Sequence, residues 1–169
     1  MLKILKKLFP QKITQLVYFL EKDDAVDPVK LGITKSGTEL RIGKFVDQGY
    51  SVHELIYNDE IVYSGKIFKK VHLLKLIDKY GSYAIGDCIT AEKYRGKNIY
   101  PYTLQMLSKE MFKKKEELFI LVSPENKASI RGIEKAGFSL YCKINTIRIG
   151  VFYTFKKIIF YPNYLTLSK

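Results

Sequence analysis

Apolar positions fall in short, strand-like runs over the first half of the chain, and in alternating strand-length and helix-length blocks beyond about residue 82. Ile13 to Leu20 is rich in β-branched and aromatic residues, which suit a pleated surface and predict a strand. Lys30 to Lys44 is broken by Gly32, Gly37 and Gly43, as expected of loops or a bent hairpin. Tyr50 to Tyr57 and Ile61 to Phe68 flank Asn58, Asp59 and Glu60. Asn and Asp tolerate tight-turn geometry, so these two runs are expected to pair antiparallel. Val71 to Tyr80 has apolar residues at 71, 73, 74, 76 and 77, which leaves helix and strand both open, the helical period fitting slightly better.

Farther along, Ser82 to Thr90 reads as a strand, Ile99 to Lys114 as an amphipathic helix with Pro101 in its first turn, and Leu118 to Val122 as a short buried strand. Ser123 to Ala136 reads as a loop and helix closed by Gly137, a residue suited to the left-handed conformation that ends helices. Strands are expected at Phe138 to Ile144 and Thr146 to Phe155, with a further apolar run at Ile158 to Tyr161. Strands first, then strand, helix, strand, helix, strand, strand, is the order of an α+β class with a mixed sheet. No repeat, low-complexity tract or Ser/Pro-rich linker divides the chain, so one domain over residues 1–169 is expected.

A hydrophobic content of 47% over 169 residues can bury a core without disulfide or metal support. Cys88 and Cys142 show neither CxxC spacing nor a histidine cluster, so no zinc site or disulfide is expected and both read as reduced, buried thiols. Met1 to Phe9 is basic and amphipathic, but Lys3, Lys6 and Lys7 interrupt its apolar residues and leave no core for an export signal. No run reaches the roughly 18 apolar residues of a membrane-crossing helix. A cytoplasmic protein, at most peripheral to a membrane, is expected. The 29 basic and 17 acidic residues give a net charge of +12, which favours anionic partners such as nucleotide phosphates, nucleic acid or acidic lipid. The lysines are scattered, and the densest run, Lys113 to Lys115, falls at a helix end where positive charge complements the dipole. With no RNA-binding or helix-turn-helix signature, nucleic acid stays a minor alternative.

The most informative stretch spans residues 90–104, where a strand ends, a basic turn follows and a helix begins at once. Exposed N–H groups at a helix start carry partial positive charge and can cradle a phosphate. Arg95 and Lys97 would reinforce that cradle, while Gly96 permits a positive φ and Asn98 accepts a left-handed backbone.

Arg95-Gly96-Lys97-Asn98-Ile99-Tyr100 resembles the acyl-CoA loop of the GNAT superfamily, R/Q-x-x-G-x-G/A after the fourth strand. Asn126-Lys127-Ala128-Ser129-Ile130-Arg131-Gly132-Ile133-Glu134-Lys135-Ala136-Gly137-Phe138 resembles its second CoA motif, N-x-x-S/A-x-x-x-Y-E-K-x-G-F. The ordered pair covers roughly residues 82–144. The resemblance implies a mostly antiparallel sheet flanked by helices and splayed at the CoA-binding strand. It also implies a pyrophosphate on backbone N–H groups of residues 95–100, with Arg95, Gly96, Lys97, Asn98, Ile99 and Tyr100 at the loop. Asn126 and Ser129 would lie along the pantetheine arm, with Cys88, Ile89 and Thr90 beside the thioester. Two departures stand out. Asn98 and Tyr100 replace small loop residues, putting a ring near the phosphates, and Ile133 replaces the tyrosine that often serves as general acid.

Acyl transfer to an amine needs a base for the amine proton, stabilisation of the carbonyl oxygen and accommodation of the leaving thiolate. Backbone N–H groups at a bulge around Cys88 to Thr90 would serve the oxygen. His53 and Asp87, on strands near the sheet centre, are the candidate bases. His53 has an ordinary pKa near about 6.5, and a carboxylate within an apolar strand, as at Asp87, must be solvated or paired. A histidine held by a structural hydrogen bond and a carboxylate on an exposed strand face are the alternatives. Glu54, on the other face of its strand, is the fallback. Tyr141 and Tyr83 are candidate proton donors to the thiolate, although with 13 tyrosines in the chain packing explains either one. Cys88 has no paired histidine and reads as a small apolar residue.

The expected activity is N-acetyl transfer from acetyl-CoA to the primary amine of a small molecule, by direct attack on the thioester and without a metal. Certain GNAT proteins associated with surface-sugar biosynthesis carry a similar R-G-K-x-I-Y-P sequence. That likeness and the basic first half point to an amino sugar or sugar nucleotide as acceptor, and a homodimer is open. The alternative, from another class, is a catalytically silent GNAT-like module binding CoA, nucleic acid or anionic lipid through its basic surface.

Overall fold

A computed structural model describes residues 9–20, 28–34, 36–42, 49–113 and 117–161. The amino-terminal residues 1–8, the glycine at 43 and the lysines at 114 and 115, singled out in the sequence, lie outside that set. Eight strands form one sheet: β1 (Gln11–Phe19), β2 (Thr38–Ile42), β3 (Tyr50–Tyr57), β4 (Glu60–Lys69), β5 (Tyr83–Thr90), β6 (Leu118–Val122), β7 (Ser139–Ile149) and β8 (Phe152–Phe160). Their spatial order is β2-β3-β4-β5-β6-β1-β7-β8. The β5–β6 pair is parallel and the other recorded pairs are antiparallel, which gives the mixed α+β architecture. Among the described residues, no helix is long and apolar enough to cross a membrane.

Local chemistry explains most elements. Asn58 and Asp59 both take positive φ, 48° and 63°, the turn whose twist matches a two-residue hairpin between β3 and β4. A parallel pair needs a crossover, and helix α1 (Ile99–Lys113) provides it between β5 and β6. Leu104, Leu107 and Met111 of α1 join Ile133 and Ala136 of helix α2 (Lys127–Lys135) over Ile67, Ile85, Leu118 and Ile120 of the sheet. On the opposite face a 3₁₀ helix, His72–Ile77, sets Leu73, Leu74 and Ile77 on Val17, Ala84, Phe119, Cys142 and Ile144. The ambiguous run of residues 71–80 is therefore neither an α-helix nor a strand.

Two features depart from the sequence reading. β1 lies between β6 and β7, far from its chain neighbours. β7 continues through Asn145, where a break was expected, because β1 pairs along it and Thr14 Oγ1 donates to Asn145 Oδ1 at 3.1 Å. The chain turns at Gly150–Val151 instead.

The strand that meets α1 is irregular where it matters. Ser64 pairs with Ile89 and Lys66 with Gly86, so β5 holds one residue more than β4 in this interval, a bulge at Asp87–Cys88. Asp87 takes φ 51° there. The β5–β6 pairs are Tyr83↔Leu118, Ala84↔Phe119 and Ile85↔Ile120, so the bulge and Thr90 lie beyond the ladder to β6.

Leu104 is 0% exposed beneath the helix that carries the turn. Leu104→Ala is expected to cost about 2–5 kcal/mol in urea unfolding; a cost under about 1 kcal/mol would mean that α1 is not held by this packing.

Candidate functional site

The turn between β5 and α1 is built by two left-handed residues, Gly96 at φ 76° and Asn98 at φ 58°. A Cβ on Gly96 would meet nothing within 4 Å, so glycine is required there by backbone conformation and not by space. Arg95, Gly96 and Lys97 are exposed. The expected cradle of residues 95–100 is only partly available. Arg95 N–H donates to the Glu92 carbonyl at 3.1 Å and Lys97 N–H to the Tyr94 carbonyl at 3.4 Å. The helix's own bonding begins with Tyr102 N–H on the Asn98 carbonyl, 3.1 Å. Among the described residues, the N–H groups of Gly96, Asn98, Ile99 and Tyr100 have no protein partner.

Several ties hold the turn in place. Asn98 Nδ2 donates to the Lys30 carbonyl at 2.9 Å, and Asn98 Oδ1 accepts from Lys135 Nζ at 2.8 Å. Gly32 N–H donates to the Lys97 carbonyl at 2.8 Å, and a Cβ on Gly32 would stand 2.8 Å from that same oxygen. Only glycine lets this segment pass so close. From the other side, Tyr18 of β1 donates to Glu134 Oε1 at 2.9 Å and anchors α2 to the sheet.

In front of the turn lies a cleft of about 760 Å³, within the size range of small-molecule sites. Cys88, Ile89 and Thr90 form its strand wall, Arg95 to Tyr100 its head except for Lys97, and Asn126, Ser129, Arg131, Gly132 and Lys135 its α2 wall. Arg95, Arg131 and Lys135 line it and no Asp or Glu does, so its electrostatics favour an anion. Asn126 caps α2, its Oδ1 accepting from Ser129 N–H at 3.1 Å, so that side chain already has a structural task. Lys97 Nζ sits 5.0 Å over the Tyr94 ring and does not line the cleft. A diphosphate with a long thiol arm fits this lining: open amides at one end, cations beside them and a narrow strand wall beyond. Among the described residues, no group of His, Cys, Asp and Glu could hold a metal ion.

The three residues expected to carry out proton transfer are not brought together. His53 is 0% exposed, and it does not line the cleft. Burial pushes its pKa down to about 4, so it is neutral near pH 7. Asp87 occupies the bulge, exposed and 3.0 Å from Lys66 Nζ. Lys66 follows Gly65, the ladder partner of His53, so strand alternation places this ion pair on the other face of the sheet from His53. Tyr141 packs its ring on Phe119, Phe19 and Phe160 at 6.1, 6.2 and 5.5 Å, among the apolar residues under the 3₁₀ helix. Ile133 is 0% exposed in the helix-side core. Cys88 is partly buried, and burial raises its thiol to about 11, so it is no thiolate nucleophile near neutrality. Tyr100, expected near the phosphates, lines the cleft, with its ring 6.0 Å from that of Tyr63.

Sequence reasoning missed Arg131, Lys135 and Tyr63. The first two were detectable, since Lys127, Arg131 and Lys135 recur every fourth residue and so share one helix face. Tyr63 had no local signature.

No family model and no curated protein matches the chain. Solved structures do. A GNAT-family acetyltransferase from Colwellia psychrerythraea superposes with a TM-score of 0.55 at 13% identity, covering 82% of this chain and 55% of that one. A Drosophila protein solved by X-ray crystallography gives 0.58 at 13% identity, covering 88% and 55%. The chain thus spans about half the length of the solved proteins it matches. The fold is GNAT-like.

His53 gives a pH test. Its folded pKa, about 4, lies below its ordinary 6.5, so the unfolded chain binds the extra proton between these values. Stability is full above pH 6.5, falls as pH drops toward 4 and loses about 3 kcal/mol from this group. Urea unfolding of His53→Gln is expected to show a correspondingly shallower acid slope. Parallel slopes in variant and wild type would mean that the imidazole is solvated.

Proposed function

We propose that the cleft holds acyl-CoA and that the chain is a single-domain N-acyltransferase passing an acetyl group to the primary amine of a small molecule. The observation that carries this reading is the head of α1, with four N–H groups free of protein partners beside Arg95, Arg131 and Lys135 and no acidic residue in the lining. Such a head suits a diphosphate. The thiol arm would then run along Cys88, Ile89 and Thr90, past the point where the β5–β6 ladder stops, which we read as a splay admitting the thioester. Acyl-CoA supplies an activated carbonyl carbon. The residues of this chain bind it, orient it and provide amides near the Asp87–Cys88 bulge for the carbonyl oxygen.

None of the candidate bases lines the cleft, and Asp87 is paired with Lys66 on the other face of the sheet, so in this reading the amine proton passes to solvent. An amino sugar or sugar nucleotide is the acceptor class to try first. Burial of Ile133, which offers no proton donor, favours a second reading: a GNAT-like module that binds CoA, nucleic acid or anionic lipid without catalysis.

Calorimetry with acetyl-CoA tests the proposal. Saturable binding is expected, weakened at least about tenfold, or about 1.4 kcal/mol, in Arg95→Glu and in Arg131→Glu. Acetylation within an amine panel would separate enzyme from silent module. Absence of acetyl-CoA binding alongside salt-sensitive DNA or lipid-vesicle binding would overturn the assignment.

A further inference from the structure

Large exposed apolar side chains gather at one corner of the sheet, and none of them lines the cleft. β7 and β8 are joined by a two-residue turn, since Ile149 pairs with Phe152 and Gly150 takes φ 60°. That turn projects Val151 and Phe152, which are 74% and 72% exposed. The β1–β7 ladder begins at Gln11↔Arg148, so Phe9, 67% exposed, enters two residues earlier beside the same turn. Farther along β8 the pairing skips from Ile147↔Thr154 to Asn145↔Lys157, a bulge that leaves Phe155 at φ 49° and 85% exposed. A bulky residue at positive φ is strained, and at that exposure core packing does not offset the strain.

The charge around this corner has one sign. All 17 acidic residues of the chain lie between Glu21 and Glu134, so β1, β7 and β8 carry none. Lys12, Lys156 and Lys157 are exposed on these strands, and Arg148 beside the turn donates from Nη2 to Gln11 Oε1 at 2.6 Å. The residues that lead into Phe9 add Lys3, Lys6 and Lys7 among Leu2, Ile4, Leu5 and Leu8. Exposed apolar side chains flanked by cations without counter-charge match the interface of an anionic bilayer, where apolar tips enter the acyl boundary and cations meet phosphates. Two copies of the chain meeting through this corner would set like charges together, and the bulge blunts the β8 edge against strand pairing. Nucleic acid would use the cations and the rings but leave Ile149 and Val151 in water.

We propose that this corner, the β7–β8 turn with Phe9 and Phe155 beside it, docks the protein on a bilayer rich in anionic phospholipid. The inference stands on these residues and not on what the cleft holds. Val151 and Phe152 enter the acyl boundary. Lys156 and Lys157 follow Phe152 by four and five residues, roughly 13–16 Å along a strand, so they meet headgroups when the tip is inserted. The attachment is peripheral and weakened by salt. β5 ends, β1 starts and β7 ends at the same end of the sheet, so docking brings the end that carries the cleft toward the bilayer.

The test sediments the full chain with phosphatidylcholine vesicles, with and without about 30 mol% phosphatidylglycerol, at about 0.1 M salt. Binding to the anionic vesicles is expected, at least about tenfold stronger than to phosphatidylcholine alone. Phe152→Ser is expected to weaken it about tenfold, and Lys156→Gln with Lys157→Gln by roughly fivefold per cation. The chain has no tryptophan, so Phe152→Trp supplies a single reporter. Its emission is expected to move to shorter wavelength on anionic vesicles and to be quenched by brominated acyl chains. No vesicle binding, or binding that leaves this emission unmoved, overturns the proposal. Retention on single-stranded RNA in place of vesicles, or a dimer that Phe152→Ser dissociates, assigns the corner to another occupant and overturns it as well. Acetyl-CoA calorimetry on Phe152→Ser is expected to match wild type, and a failure of both to bind acetyl-CoA removes the cleft reading while the vesicle result stands.

Discussion

An α-helix cannot bond its own first amides, and water, a side chain or a ligand must take them. In this protein α1 begins where β5 ends, and the turn between them is shaped so that the chain does not close over those amides. Left-handed Gly96 and Asn98 swing the backbone around, and among the described residues no capping side chain folds back on the first turn. Asn98 could have capped the helix, but its side chain is spent on the Lys30 carbonyl and on Lys135. The same residue that denies the helix its cap ties both flanks of the turn together. Gly96, Asn98, Ile99 and Tyr100 line the cleft at the positive end of a 15-residue helix.

The neighbouring elements make sense as supports for that arrangement. Helix α2 is clamped at Tyr18 by Glu134 and at Asn98 by Lys135, which fixes its basic face beside the turn. Residues 28–34 cross the turn through Gly32, the only residue type that can approach the Lys97 carbonyl so closely. The bulge at Asp87–Cys88 redirects the end of β5, so that Cys88 looks toward Tyr63 and Tyr100 while Asp87 pairs with Lys66. A regular strand would place neighbouring residues on strictly alternating faces, and the extra residue reassigns them.

Much of this was legible in the sequence wherever the cause was local. The Asn58–Asp59 turn, the Pro101 helix start and the Gly137 stop, at φ 93°, each follow from the backbone preferences of single residues. The left-handed turn at Gly96 and Asn98 was legible for the same reason. What escaped was non-local. Nothing near Gln11 announces that β1 will insert between β6 and β7, and that insertion is what carries β7 straight through Asn145. His53 looked suited to proton transfer because strand position reveals neither depth nor face. Its burial over Gly65 follows from a cross-strand register that only the folded sheet specifies. Tyr63 and Tyr100, 37 positions apart in sequence, meet through the same sheet.

The central physical claim is that the amides of Gly96, Asn98, Ile99 and Tyr100 bind a diphosphate. Backbone amide resonances followed by NMR during titration with CoA report on it directly. The account predicts that these four move together, more than any other amides in the chain, and saturate with the ligand. Binding that leaves them in place while amides elsewhere respond would contradict it.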